Sequence, residues 1–177
     1  MMRHAGMTLI TCAVAACGSS ESSADYGPPT AETVIRLEIG NGFLVPGSPE
    51  ILLSVEIVGT QASYVENERG ESAQATLEAS TVASIIHAFE SIDLLEIDSE
   101  AFARCPVPPL DAGYNYLHVV LSAGTKDLQH IQGCAGAVFA DVDAVENQIF
   151  DLSGFKAWYA AGGTGTHGAS ARAAVPR

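Results

Sequence analysis

The sequence predicts an α+β domain in which an antiparallel sheet of about five to six strands is packed on one face by two amphipathic helices. Two observations support this fold class. Alternating apolar residues form strand-length segments separated by tight-turn sequences, so consecutive strands should run antiparallel. Two longer segments carry apolar residues at helical spacing, and the order along the chain is strands, helix, strands, helix.

Strands before the first helix are predicted at residues 33–39, 51–58, 61–68 and 73–78. Gly59 and Thr60 fit the centre of a two-residue hairpin turn, because glycine suits the first central position of a type II′ turn. This turn pairs Val55 with Tyr64. The first half of the chain is therefore expected to form consecutive antiparallel strands.

Two helices are predicted from apolar stripes. Ser80 is expected to cap the first helix and Asp141 the second, because short polar side chains accept hydrogen bonds from the first free N–H groups. The stripes consist of Val82, Ile85, Ile86, Phe89 and Ile92 in the first helix and Val142, Val145, Ile149 and Leu152 in the second. His87 lies nearly opposite the first stripe and should face solvent.

Two further strands are predicted at residues 114–122 and 126–132. A tight turn at Gly124 and Thr125 pairs Leu121 with Leu128. In this register His118 and His130 fall on opposite faces of the sheet. The hairpin is therefore not expected to hold a metal ion between two histidines.

The first seventeen residues have the order of an export signal. Arg3 precedes residues 5–16, an uncharged stretch that is too short to span a bilayer and suits the apolar region of a signal peptide. Residues 14–17, Val-Ala-Ala-Cys, resemble the lipobox of bacterial lipoproteins. The resemblance implies cleavage before Cys17 and attachment of diacylglycerol to Cys17. An ordinary secretory signal peptide is the alternative interpretation.

The resemblance and the composition together divide the chain into four parts. These are a signal peptide at 1–16, a lipidated cysteine with a flexible tether at 17–30, one domain at 31–160 and a disordered tail at 161–177. Gly18 follows the cysteine, which by the sorting rule of enteric bacteria favours the outer membrane over the inner membrane. The pattern over residues 33–158 also resembles small lipoprotein domains of unassigned activity. That resemblance implies an envelope location and carries no catalytic residue.

The cysteine count predicts one disulfide. Cys12 lies in the predicted signal peptide and Cys17 is the predicted lipid acceptor, which leaves Cys105 and Cys134 as an even pair. A zinc site would need closely spaced cysteine pairs, and these are absent. In an oxidising compartment the pair is therefore expected to be bonded.

The charge excludes several classes of partner. The formal net charge is −13, and loss of residues 1–16, whose one charged residue is Arg3, would make it −14. Binding to nucleic acid needs a basic surface, and anionic lipid headgroups also attract basic segments, so neither is expected. A basic protein or a divalent cation is compatible with this charge.

No catalytic, nucleotide-binding or metal-binding motif is present, and no cofactor is predicted. Asp93, Glu96, Asp98 and Glu100 are interpreted as a solvated acidic loop, with a calcium site as the alternative. Three functional hypotheses remain. The first is a non-enzymatic lipoprotein that binds an envelope protein, and the second is an inhibitor of a basic hydrolase such as lysozyme. The third is an enzyme that uses His118, His130 or the acidic loop in a cleft.

Overall fold

The computed structural model describes residues 25–42 and 49–162. The six-stranded antiparallel sheet has the order β4-β3-β2-β1-β5-β6, which confirms the predicted fold class. The strands are β1 (Val34–Gly40), β2 (Ile51–Val58), β3 (Gln61–Glu66), β4 (Glu71–Thr76), β5 (Tyr114–Leu121) and β6 (Gly124–Ile131). The helices are α1 (Ala79–Ser91), a 3₁₀ helix (Leu94–Glu96), α2 (Ser99–Phe102), α3 (Ala137–Leu152) and α4 (Phe155–Ala160).

The core lies between one face of the sheet and the helices. Alternation along the central strands directs Ile35 and Leu37 of β1, and Leu117 and Val119 of β5, to this face, where all four are fully buried. The buried side chains of the two long helices meet them: Val82, Ile85, Ile86, Ala88, Phe89, Val142, Val145, Ile149 and Phe150. Full burial of one such aliphatic or aromatic side chain contributes about 1.5–3 kcal/mol. The predicted stripes thus face the core, with two exceptions: Ile92 is only partly buried, and Leu152, predicted to lie in the second stripe, is 36% exposed because it stands at the last position of α3.

The β2–β3 hairpin follows the predicted register. Val55 lies opposite Tyr64, as expected. Gly59 in the turn has a φ angle of +58°, a left-handed conformation that glycine adopts without steric cost. Local turn chemistry therefore sets this pairing.

The predicted register of the β5–β6 hairpin is wrong. Leu128 lies opposite Leu117, not Leu121, and the chain reverses at Ser122 and Ala123 rather than at Gly124 and Thr125. The Ser122 hydroxyl donates a 2.8 Å hydrogen bond to the carbonyl oxygen of Tyr26, so a tertiary contact holds this turn. The displacement along β5 is even, so each side chain keeps its predicted face.

The predicted helix caps are also wrong. α1 begins at Ala79, one residue before Ser80, and α3 begins at Ala137 rather than after Asp141. Neither helix has a side-chain cap. The additional first turn of α3 is held by packing, because its Phe139 ring stacks on Phe102 with 4.7 Å between centroids. His87 is solvent-exposed, as predicted.

The packed domain begins before the predicted boundary at residue 31. Tyr26 is fully buried, its backbone N–H donates to Glu90, and its hydroxyl accepts a 3.0 Å hydrogen bond from the backbone of Leu95. Cys17, the rest of 1–24 and 163–177 lie outside the described residues, so their predicted roles stay predictions. None of the helices within 25–42 and 49–162 has the length and hydrophobicity needed to span a bilayer.

Candidate functional site

A disulfide pins a proline-rich loop at one end of the sheet. Cys105 is bonded to Cys134, which confirms the predicted pair. Cys134 follows the end of β6, and Pro109 packs against the neighbouring Gly133. Val107 and Leu110 in this loop are 81% and 94% exposed. The loop therefore presents apolar side chains to solvent from a covalently fixed base.

Beside this loop, three potential metal ligands converge under helix α3. Nε2 of His130 lies 3.1 Å from Oε1 of Glu146 and 3.6 Å from Oδ1 of Asp143. One ligand atom from each of the three residues lies within 4.8 Å of the other two. His130 and Glu146 are buried, whereas the side chain of Asp143 is 40% exposed. The cluster thus joins a buried imidazole and a buried carboxylate to a carboxylate that reaches solvent.

A chain of amides fixes the buried carboxylate. Asn115, which lies opposite His130 in the β5–β6 ladder, donates through its side-chain nitrogen to Oε2 of Glu146. Gln132 in turn donates a 2.8 Å hydrogen bond to the side-chain oxygen of Asn115. The carboxylate of Glu146 is therefore held from β5 on one side and from β6 on the other.

Aromatic rings orient the imidazole of His130. The ring centroid of Phe102 in α2 lies 5.1 Å from that of His130, and Phe139 in α3 lies 6.2 Å away. These rings leave Nε2 directed at the carboxylates. Nδ1 of His130 is buried, and no acceptor or donor among the described residues lies within hydrogen-bond distance and geometry of it.

The electrostatics of the cluster favour a positive charge at His130. Burial opposes protonation of the ring, but the hydrogen bond to Glu146, the negative charges of Glu146 and Asp143 and a weaker contribution from the backbone of Ile131 outweigh it. Together they raise the pKa of His130 above its ordinary value of 6.5. The two carboxylates therefore stabilise a positive charge at the position of the His130 ring.

His118 lies on the opposite, helix-free face of the sheet, as predicted. Its Nδ1 atom is 2.7 Å from Oδ1 of Asp127, and the Tyr116 hydroxyl donates to the same oxygen at 2.5 Å. The hydrogen bonds from Tyr116 and His118 lower the pKa of Asp127, whereas the hydrogen bond to Asp127 raises the pKa of Tyr116 to about 12. This exposed trio links β5 to β6, and it is separated from His130 by the sheet.

The acidic segment that follows α1 does not gather its carboxylates. Asp98 caps α2 by accepting hydrogen bonds from the backbone of Glu100 and Ala101. Within the described ranges, residues 93–100 contribute no group of three converging ligands. Two surface clefts flank the start of β1, and they are lined by residues 29–32, 58–61, 79 and 120–122. Neither cleft contains the acidic segment or the histidines that the enzyme hypothesis requires.

The cluster of His130, Asp143 and Glu146 was missed by sequence reasoning. The predicted pairing of Leu121 with Leu128 implies that His130 lies opposite Val119, whereas in the structure His130 lies opposite Asn115. One signal was present in the sequence. Glu146 lies within the apolar stripe of α3, so helical periodicity alone directs a carboxylate toward the core, where it needs a partner.

Comparison with known proteins found no match for this chain. No protein-family model matches the sequence, and no curated protein matches it. Function must therefore be inferred from the residues and their geometry.

Proposed function

We propose that this protein is a lipid-anchored bacterial envelope protein whose exported domain binds a basic protein partner and is not an enzyme. The observation that carries the proposal is the export signal that ends in the lipobox-like residues 14–17. The disulfide between Cys105 and Cys134 supports it independently, because such bonds persist in oxidising compartments and are rare in the cytosol.

The anchor would keep the Tyr26 end of the domain close to the membrane. Tyr26 is packed into the domain, so only residues 18–25 separate it from Cys17. Eight residues at full extension span no more than about 30 Å. Tyr26 is bound to Ser122 at the β5–β6 turn, and the disulfide lies beyond the other end of β6. The end of the sheet that carries the proline-rich loop would then be the end that is not tied to the anchor, free to reach a partner away from the membrane.

The proline-rich loop, residues 105–113, is the surface best suited to bind a partner. Val107 and Leu110 are almost fully exposed, although large apolar side chains gain free energy when they are removed from water. Three prolines and the disulfide restrict the loop before binding, which reduces the conformational entropy lost when a complex forms. These features favour a recognition role at the exposed end of the domain.

The charge favours a basic partner. Each lysine and arginine among the described residues is engaged by a carboxylate or a backbone carbonyl group. The pairs are Arg36 with Glu56, Arg69 with Glu66, Arg104 with Glu100, Lys126 with the carbonyls of Leu95 and Ile97, and Lys156 with Asp151. The excess carboxylates would steer a cationic protein toward the domain, most strongly at low salt.

Fatty-acid labelling tests the anchor. Cells that express the full chain should incorporate an alkyne-tagged fatty acid into it, and Cys17→Ser should abolish the label. Cys12→Ser is the matched control, since this thiol lies in the predicted signal peptide and its loss should leave labelling intact. A mature chain that carries no label and retains Met1 would refute the anchor.

Capture from an envelope extract tests the binding role. The full chain carrying Cys12→Ser and Cys17→Ser is immobilised, and a retained basic protein should elute as salt is raised. Val107→Ser combined with Leu110→Ser should abolish retention. Val138→Ser, which alters an exposed valine on α3, should not affect it. Equal retention by both variants, or no retention by the unaltered domain, would reject the proposed surface.

An inhibition assay with hen lysozyme at low salt tests the hydrolase-inhibitor hypothesis. Lysozyme activity that is unchanged by the domain would rule this hypothesis out.

A further inference from the structure

We propose that His130, Asp143 and Glu146 form a binding site for one divalent transition-metal ion, for which zinc is the best chemical match. The inference goes beyond the proposed function and does not depend on it. The site consists of Nε2 of His130 on β6 and one carboxylate oxygen from each of two residues one helical turn apart on α3. The three ligand atoms come from two elements that already pack together.

The distances from Nε2 of His130 to the two carboxylates are close to those around a four-coordinate zinc ion, and the carboxylate oxygens lie within 4.8 Å of each other. Zinc lies about 2.0–2.1 Å from imidazole nitrogen and carboxylate oxygen, so two ligands at a tetrahedral angle are about 3.3 Å apart. Nε2 of His130 lies 3.1 and 3.3 Å from the two oxygens of Glu146 and 3.6 Å from Asp143. An ion could therefore be accommodated by small side-chain movements, without displacement of the backbone.

Hydrogen bonding alone leaves this arrangement incomplete. As a donor, Nε2 can offer only one hydrogen, and its nearest acceptor is Oε1 of Glu146 at 3.1 Å. Asp143 is then 3.6 Å from the same nitrogen, beyond the range of a good hydrogen bond. Two carboxylates thus converge on one N–H group. A divalent cation that displaced the Nε2 proton to solvent would accept a lone pair from each of the three residues and balance both negative charges.

The surroundings resemble those of an oriented metal site. The carboxylate of Glu146 is fixed from behind by Asn115, which is itself held by Gln132. Such outer hydrogen bonds orient the ligands and commonly change metal affinity by about 10–100-fold when removed. The rings of Phe102 and Phe139 lie at tilted angles beside the imidazole, which is 2% exposed. These surrounding residues would therefore hold the ligands in place before an ion binds.

Access and ligand chemistry narrow the choice of ion. The side chain of Asp143 is 40% exposed, so solvent reaches this edge of the cluster, and a water molecule would supply the fourth ligand. One imidazole with two carboxylates suits zinc, cobalt or nickel, whereas calcium prefers six to eight oxygen ligands. The site should therefore bind zinc or cobalt and discriminate against calcium.

Metal titration of the full chain tests the proposal. The protein carries Cys12→Ser and Cys17→Ser, because free thiols bind zinc, and it is purified without a histidine tag. Zinc is titrated against a chelating dye, and cobalt is followed by its visible absorption. We expect one ion per chain with micromolar or tighter affinity, the absorption of four-coordinate cobalt, and no competition from excess calcium.

Variants at the cluster locate the ion. Asp143→Asn should weaken zinc binding by more than the roughly ten-fold that loss of an outer hydrogen bond costs. The free energy of unfolding without metal should change little, because the side chain of Asp143 is 40% exposed. Asp141→Asn is the matched control, because this exposed carboxylate lies on the same helix outside the cluster and should leave affinity unaltered. His130→Gln and Glu146→Gln should abolish binding, and Asp143→Asn remains decisive if these buried variants do not fold.

Three results would overturn the proposal. One is the absence of zinc binding by the unaltered chain at millimolar zinc. Another is equal affinity in Asp143→Asn and the unaltered chain, which would place the ion elsewhere. The third is an equal loss in Asp143→Asn and Asp141→Asn, which would indicate diffuse attraction to the acidic surface rather than a defined site.

Discussion

Removal of the disulfide by Cys105→Ala combined with Cys134→Ala is expected to lower the free energy of unfolding by about 3.5 kcal/mol. The bond joins residues separated by 29 positions in the sequence. In the chain-entropy model, closing a loop of about 30 residues removes about 12 cal/mol/K from the unfolded chain, which amounts to about 3.6 kcal/mol at about 25 °C. Because a typical domain is stable by about 5–15 kcal/mol, this loss is large enough to measure.

Urea unfolding provides the assay, with Trp158 as the probe. It is the one tryptophan in the chain and is buried, so its fluorescence should report global unfolding. With a denaturant slope of about 1.5 kcal/mol/M, the midpoint should fall by about 2 M. A second measurement compares the unaltered protein with and without a reductant. Because both forms keep the Cys134 side chain, their difference reports the loss of the disulfide alone and not the truncation of a buried side chain. Val107→Ala, an exposed change within the same loop, should leave the midpoint unchanged.

A loss below about 1 kcal/mol in the double variant would refute this reasoning. Equal stability of the reduced and oxidised unaltered protein would refute it as well. Either result would mean that the segment between Cys105 and Cys134 is already restricted in the unfolded chain.

Three further predictions follow from buried or hydrogen-bonded side chains. Trp158→Ala should lower the free energy of unfolding by about 3–5 kcal/mol because it leaves a cavity beneath α4; circular dichroism during urea unfolding measures this, and a loss below about 1 kcal/mol would contradict it. Tyr26→Phe should cost about 1 kcal/mol by leaving the backbone N–H of Leu95 without its partner, and unchanged stability in the same assay would show that this hydrogen bond contributes nothing. Tyr116→Phe should raise the pKa of Asp127 toward its ordinary value of 3.8, measured by NMR titration, and an unmoved pKa would contradict the assigned cause. Because the folded-state pKa is lowered, the stability that Asp127 contributes is present above the pKa of the unfolded chain and should be lost as the pH falls through the folded-state value.

The sequence alone determined the features that depend on neighbouring residues. Alternation and helical spacing gave the fold class, and Gly59 gave the β2–β3 register, because a two-residue turn sets its own strand pairing. The disulfide followed from counting cysteines, since only Cys105 and Cys134 remained for pairing. The predicted lipidation of Cys17 likewise depends on adjacent residues, and it stays a prediction.

Tertiary contacts decided the rest. The β5–β6 turn lies at Ser122 and Ala123, where the Ser122 hydroxyl binds the buried segment at Tyr26, a contact between residues 96 positions apart that no local pattern encodes. The resulting register brought His130 opposite Asn115 and beneath Glu146. The position of Glu146 in the apolar stripe of α3 indicated that this carboxylate needs a buried polar partner. Which residue becomes that partner depends on how α3 docks on the sheet. Periodicity specifies which face of an element is buried, whereas packing between elements that are distant in sequence specifies which side chains meet there.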